Sequence, residues 1–474
     1  MMQTQIMSIK TYRDQTCEFL DQHMKVCVAL KYVIYTLQIK TIEMNVKINE
    51  KKYMPGTTYI IGLGIAGLSA AVNCLPNGNQ IRLLEATKNA GGRCRSFNDQ
   101  LLSRTINNGT HLILSGNVGI KEYLKIIGAS HTFQTIKPAS FKFIDIKSGL
   151  KWEIKPSVSR IPWWIFRRKT RIPDTALMDY LSIMRFKFSA NKTIADLVNT
   201  SRPIFDRLWQ PLSRAVLNTD AYEGSASSIW IMISETLLKG QKFCYPLIPL
   251  EGLSSSLIEP ALKHLERNNV FAEYSQRVTA IASEAGTITS ITVNKKQIKL
   301  DKDDLIILAI PPKQISTLLP DINVPKQSNT IINIHYRIDD RPLLPTSVNF
   351  IGLIGGNADW IFQKNDIYSV TISSANSISD LSNNDIAKII WDEIAQIFDK
   401  DTTEIPINRV IREYNATIKQ SPKENKKRSD SQTNFKNLVL AGDWTNTGLP
   451  ATIESAVISG RKAAQLVKKI EIFK

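Results

Sequence analysis

Between Thr57 and Glu85 the chain sets out a short apolar strand, three spaced glycines, a helical run, a second strand and an acidic residue, and few folds accommodate that order. Strand Tyr59 to Ile61 runs into Gly62, Gly64 and Gly67, then into the helical run Leu68 to Leu75. In a doubly wound α/β domain the first glycine permits a tight turn, the second lets backbone approach a pyrophosphate, and the third lets the helix pack on the strand. Ala66 sits in the same turn, just ahead of the helical run, where the helix N-terminus offers free N–H groups to an anion. The turn Pro76, Asn77, Gly78 leads to strand Ile81 to Leu84, and Glu85 follows eighteen residues after Gly67, where a carboxylate accepts ribose hydroxyls. The segment predicts a dinucleotide site on an α/β, Rossmann-type domain.

A second phosphate-directed element follows. Gly91 and Gly92 allow another close backbone approach, and Arg93 adds charge, so a pyrophosphate is gripped from both sides. The passage Glu85 to Ser96 (EATKNAGGRCRS) resembles the amine oxidase and phytoene desaturase superfamily. The resemblance implies FAD as cofactor, with Glu85 and Ala86 at its ribose end. Far along the chain, Asn437 to Trp444 (NLVLAGDW) reads as a strand delivering Gly442 and Asp443 at its carboxyl edge. Pro450 then opens a helix whose first residues are Ala451, Thr452 and Ile453. A helix N-terminus there favours the negative charge that grows on a flavin pyrimidine ring during reduction. In the superfamily the matching Asp meets the ribityl or phosphate chain, and Val278, in Arg277 to Ile281 (RVTAI), resembles the backbone contact to the adenine end.

Three further segments narrow the resemblance to the hydroxysqualene dehydroxylases, also described as squalene-associated FAD-dependent desaturases. They are Asn107 to Asn117 (NNGTHLILSGN), Leu208 to Thr219 (LWQPLSRAVLNT) and Ala441 to Ala456 (AGDWTNTGLPATIESA). One position departs from that pattern: Asn107 stands where the family leads one to expect Asp, a fair replacement if the residue only caps a turn. The resemblance implies hydride transfer from reduced FAD to hydroxysqualene, a C30 isoprenoid, with loss of water to give squalene, and hence an electron donor, unidentified in the sequence, that recharges the flavin. His111 is the histidine in a cofactor-proximal motif and the candidate catalytic residue, either protonating the leaving oxygen or lining the flavin face; a core histidine bonded to backbone is the alternative. A carotenoid desaturase, an amine oxidase and a non-catalytic lipid escort of the same fold stay open as rival readings.

The expected organisation is an N-terminal extension (1–53), a discontinuous FAD-binding domain (54–150, 246–325, 406–474) and a mixed α+β substrate domain inserted as 151–245 and 326–405. Helical apolar spacing is read in Ala176 to Phe188 and Ile194 to Leu208, and Ser421 to Lys436 is read as a solvated loop. Met44 and Met54 are alternative starts.

Bulk properties set the surroundings. A formal net charge of +17 directs attention to anionic partners. Without zinc-finger spacing or an RNA-binding signature, nucleic acid is not expected, and an anionic membrane surface is. Trp152, Trp163 and Trp164 with Arg160, Arg167, Arg168 and Arg171 form an aromatic and cationic cluster suited to such a surface, with a core tryptophan group flanked by solvated arginines as the alternative. Five scattered cysteines, five dispersed histidines and no HExxH pair predict structural thiols and no metal centre. With no apolar run of about 18 to 20 residues and no signal-peptide layout, the expectation is a cytoplasmic protein, seated peripherally on the inner face of the membrane.

Overall fold

The computed structural model describes residues 56–472 except 79, 340–343 and 345–348. The expected extension, with Cys17, Cys27 and His23, lies outside the described residues. Five strands form a parallel sheet in the order Ala272–Glu273, Gln80–Leu84, Thr57–Ile61, Leu305–Leu308, Leu438–Leu440. The three strands Thr57–Ile61, Leu305–Leu308 and Leu438–Leu440 are buried on both faces, as parallel strands covered on two sides must be. Ile60, Leu83, Leu305, Ile307 and Val439 pack in one core with the helices Ile65–Cys74, Glu259–Glu266 and Ile453–Ile472. Tyr59, Ile61, Leu84, Ile306 and Leu308 face the other way, onto Ile288, Ile291 and Val293 of a three-stranded antiparallel meander, Val278–Glu284, Thr287–Val293 and Lys296–Lys299. Period-two alternation thus serves two cores at once. The first and last helices are tied by Ser69 Oγ, which donates to the Val457 carbonyl at 2.7 Å.

A second, seven-stranded sheet runs Asn408–Ile418, Ser328–Arg337, Ile367–Ile372, Trp360–Lys364, Phe350–Ile354, Phe141–Asp145, Lys151–Ile154. Its pairings are antiparallel apart from Phe350–Ile354 with Phe141–Asp145. The helix Asn383–Ile397 covers it with Ile386, Ile390, Trp391 and Ile394, one apolar stripe at helical spacing. Two of these strands, Phe141–Asp145 and Asn408–Ile418, lie beyond the 151–245 and 326–405 spans the sequence assigned to the substrate domain. Alternation fixes which residues face in and out; it carries no information about which sheet edge a strand joins.

The inserted helical region packs against the far edge of the second sheet, with Trp152 and Ile154 in the same core as Phe186, Phe205, Trp209 and Ile229. Ala176 to Phe188 forms two short helices, Leu177–Leu181 and Ile183–Phe186. Ile194 to Leu208 is not one helix: turns occupy it until Pro203, where a helix opens on the residue type that tolerates a first turn and continues through Phe205–Trp209 into Gln210–Leu217. Nor is Ser421 to Lys436 simply solvated. Glu424 is buried and accepts from the Lys326 N–H at 2.7 Å, and Arg428 points inward.

Candidate active site

The glycine loop is shaped by contacts a side chain would destroy. Gly62 has φ +95°, and a Cβ on Gly67 would stand 1.9 Å from the Gly62 carbonyl oxygen, so both positions are closed to other residues. Gly64 is different: a Cβ there would meet nothing within 4 Å, and its φ of −69° is open to any residue. Gly64 caps the helix Ile65–Cys74 without a side-chain hydrogen bond, leaving the first turn, including Ala66 and Gly67, with N–H groups directed outward. Opposite lies the second glycine turn. Gly91 N–H donates to Leu63 O at 2.7 Å, Gly91 pairs with Gly64, and a Cβ on Gly92 would lie 3.5 Å from the Gly64 Cα. Backbone without side chains on two sides, at an uncapped helix N-terminus, is a cradle that fits a pyrophosphate.

Glu85 holds this cradle from the end of its strand. One carboxylate oxygen accepts from the Leu63 N–H at 2.8 Å, the other from the Thr87 N–H at 2.9 Å and the Thr87 hydroxyl at 2.8 Å. The Gln276 N–H donates to the Glu85 carbonyl at 2.7 Å, which brings Val278, two residues on, toward the end of the cradle where Glu85 and half-buried Ala86 sit.

Arg93 and Asp443, from opposite ends of the chain, meet: Arg93 Nη2 lies 2.6 Å from Asp443 Oδ1, and Arg93 Nη1 donates to the Ala416 carbonyl. The attraction of Asp443 raises the Arg93 pKa further and keeps it charged. Asp443 is buried, so the pair fixes an otherwise expensive carboxylate beside the second glycine turn. Gly442 N–H donates to Ser459 Oγ at 3.0 Å, and Thr445 Oγ1 shares that hydroxyl at 2.7 Å, locking the strand end to the final helix. Thr452 Oγ1 accepts from the Ser455 N–H at 3.3 Å, capping the helix Ile453–Ile472, and Ala451 is buried beneath it. Glu454 accepts from the Gly119 and Ile120 N–H groups at 2.7 and 2.8 Å, so it serves the N-terminus of the helix Val118–Ile126.

The discordant Asn107 has a capping role. Its Oδ1 accepts from the Ser96 hydroxyl at 2.7 Å and from the Leu253 N–H at 3.1 Å, at the start of the helix that continues into Ser254–Ile258 and Glu259–Glu266. A carboxamide oxygen fills the acceptor position a carboxylate would occupy. His111 is half-buried, its ring makes no hydrogen bond among the described residues, and a Cβ on Gly109 would lie 3.6 Å from its Nε2. Burial, with the Arg93 charge adding to it, lowers its pKa to about 4. The imidazole is therefore neutral near pH 7, with one nitrogen able to donate and the other to accept.

Arg428, Gln420 and Asn329 in this framework gave no sequence signal. Arg428, within a lysine-rich polar run, is half-buried and donates to the carbonyls of Asp443 (2.8 Å), Thr445 (2.7 Å), Leu449 (2.7 Å) and Trp444 (3.3 Å). Burial pulls its pKa down to about 10. Gln420 accepts from the Ala451 N–H at 2.7 Å and donates to the Leu217 carbonyl at 2.9 Å. Asn218 and Asn329 donate to each other's carbonyls at 3.2 and 2.6 Å. The family-like segment Leu208 to Thr219 is thus the polar joint between the helical insert, the second sheet and the final helix. Trp152, grouped by sequence with the surface cluster, is instead buried and stacked on Phe143 at 5.6 Å. Cys74, Cys94 and Cys244 are buried thiols outside any disulfide, and burial pushes Cys94 and Cys244 up to about 12.

A two-glycine cradle on a parallel sheet, closed from the far terminus by a strand and a helix N-terminus, defines an FAD-dependent oxidoreductase. The fold is shared with cyclohexylamine oxidase from Brevibacterium oxydans, at a TM-score of 0.63 and 13% identity, over 89% of this chain and 100% of that one. The sequence profile of the flavin containing amine oxidoreductases matches residues 65–468. Hydroxysqualene dehydroxylase from Zymomonas mobilis is 39% identical over 86% of this chain and 98% of its own length, and that from Sinorhizobium fredii 38% over 87% and 98%. The 15-cis-phytoene desaturase of Glycine max reaches 23% over 87% and 79%. The chain belongs to the flavin containing amine oxidoreductase family and, within it, to the hydroxysqualene dehydroxylases.

Proposed function

We propose that this protein reduces hydroxysqualene to squalene with loss of water. The near-complete alignment with hydroxysqualene dehydroxylases carries this reading. Bound FAD, in its reduced form, supplies the hydride. Gly62, Gly64, Gly67, Gly91 and Gly92 hold the pyrophosphate through backbone, with Ala66 in the helix turn below it; Glu85 and Ala86 take the adenosine ribose, and Val278 the adenine. Arg93 orients Asp443 toward the ribityl and phosphate chain, and the helix turn at Ala451, Thr452 and Ile453 directs positive potential at the pyrimidine ring. His111 lines the substrate side as a neutral imidazole whose N–H hydrogen-bonds the leaving oxygen; burial and the nearby Arg93 keep it uncharged, so it positions the hydroxyl and the proton that completes the departing water comes from the medium. Departure of a hydroxyl from a cation-stabilised carbon needs such a donor and a site that excludes water.

Each turnover consumes two electrons, so a separate reductant recharges the flavin. Among the described residues no helix is long and apolar enough to cross a membrane. The excess of basic residues supports peripheral contact with anionic lipid at the cytoplasmic face. Anaerobic mixing of photoreduced protein with hydroxysqualene tests the reaction: flavin reoxidation with squalene formed is the expected result. Reduction of oxidised flavin by phytoene or by an amine refutes it, and purified protein that takes up no FAD refutes any flavin catalysis.

A further inference from the structure

The helical insert exposes apolar side chains that the fold does not use. Within residues 158–188, Val158 is 84% exposed, Phe188 80%, Met178 71%, Met184 58% and Trp163 54%, joined by Ile161, Phe166 and Leu181. The same short stretch buries Ile165, Ile172, Tyr180 and Phe186 in the core of the insert, so the outward residues are surplus to packing. Its turns are tied together: Trp164 meets Tyr180 edge-on at 5.5 Å, and the Tyr180 hydroxyl accepts from the Ile172 N–H at 3.3 Å. Water-exposed surfaces rarely gather such residues without a partner.

The charges narrow the partner. Arg160, Arg167, Arg168, Lys169, Arg185 and Lys187 are exposed among these apolar groups. Both carboxylates of the stretch are engaged from outside it, Asp174 by Arg207 and Asp179 by Arg202. A second copy of the chain would oppose basic residues to basic residues. We propose that residues 158–188 seat the protein in the head-group region of an anionic lipid bilayer, apolar side chains entering the acyl boundary and basic heads meeting phosphates. The purpose of the surface, access to a C30 hydrocarbon held in lipid, rests on the hydroxysqualene reading; the surface itself does not.

The test is sedimentation of the full chain with phosphatidylcholine vesicles, with and without phosphatidylglycerol, in the absence of substrate. Binding is expected to anionic vesicles and to fall with added salt. The double substitution Arg167→Gln, Arg168→Gln is expected to weaken partition roughly thirtyfold. Met184→Ser with Phe188→Ser is expected to abolish most binding while melting temperature and FAD content stay unchanged, and Phe271→Ser, 62% exposed outside the stretch, is expected to leave binding intact. Absence of vesicle binding, parental binding by the Met184 and Phe188 variant, or conversion of a dimer to a monomer by that variant in light scattering overturns the proposal. Turnover of detergent-dispersed hydroxysqualene is measured separately: its failure alongside intact vesicle binding removes the reaction and leaves the surface.

Discussion

Replacing Arg428 by methionine removes a half-buried cation and four donated hydrogen bonds at one stroke. Among the described residues the Trp444 and Leu449 carbonyls have no other protein donor, so two partly buried acceptors lose their partner, at about 1 to 3 kcal/mol each. Against this stands relief of desolvation. Burial lowers the Arg428 pKa from 12.5 to about 10, and at 1.36 kcal/mol per unit the buried charge costs about 3 kcal/mol. The two effects nearly offset, so global stability is expected to change by no more than ~3 kcal/mol in either direction. The loop Asp443 to Leu449 loses four donors that converge from one guanidinium and keeps fewer ties, among them the Ser455 hydroxyl to the Asp443 carbonyl at 3.3 Å and the Asn446 N–H to the Ser429 carbonyl at 2.8 Å. Asp443 and the helix turn at Thr452 then lose their fixed spacing from the glycine cradle. FAD affinity, followed by quenching of flavin fluorescence on titration, is expected to fall about ten- to a hundredfold, or 1.4 to 2.8 kcal/mol. Arg428→Lys, whose single ammonium reaches fewer of the four carbonyls, should recover only part of the loss. Parental FAD affinity in the methionine variant would refute the reasoning, and full recovery by lysine would show that charge alone, and not the planar fork, is what the loop requires.

Gly64→Val is expected to leave the fold intact, since its Cβ meets nothing and its φ is ordinary, yet to abolish bound flavin absorbance by filling the cradle. Asn107→Ala should cost roughly 1 kcal/mol in denaturant unfolding by uncapping Leu253, whereas Asn107→Asp should retain parental stability within about 0.5 kcal/mol. His111 and His335 are both held neutral by burial, with pKa values lowered from 6.5 to about 4, so the unfolded chain binds more protons between those values. Their contribution is complete above about pH 6.5 and lost as pH falls toward 4, up to about 3 kcal/mol per group; urea midpoints measured across that window should decline less steeply in His335→Gln than in the parent.

The cradle was legible because its determinants are local. Gly62, Gly64, Gly67 and Glu85 act through a turn and a helix end that the chain makes within 30 residues, and spacing alone reports such geometry. Asn107 was legible as an anomaly but not as a cap, since the N–H it serves belongs to Leu253. Arg428 was illegible: in Lys426-Lys427-Arg428 nothing distinguishes the inward guanidinium from exposed Lys426 or from Lys427, which pairs with Glu424. Trp152 and Trp163 read alike in sequence, yet one stacks in a core and the other faces water, because the strand Lys151–Ile154 joins the sheet edge against which the insert packs.

By itself, then, the sequence determined the two glycine turns, the helix and strand that follow the first, and the terminal strand and helix, all of which depend on backbone freedom and short-range periodicity. Only the tertiary structure decided that Arg93 pairs with Asp443 across 350 residues, that Gln420 and Arg428 hold the final helix and its loop, and that residues 158–188 turn apolar groups outward. Those outcomes depend on which surfaces the chain brings together, and the energy of a long-range pair belongs to neither residue until both are placed.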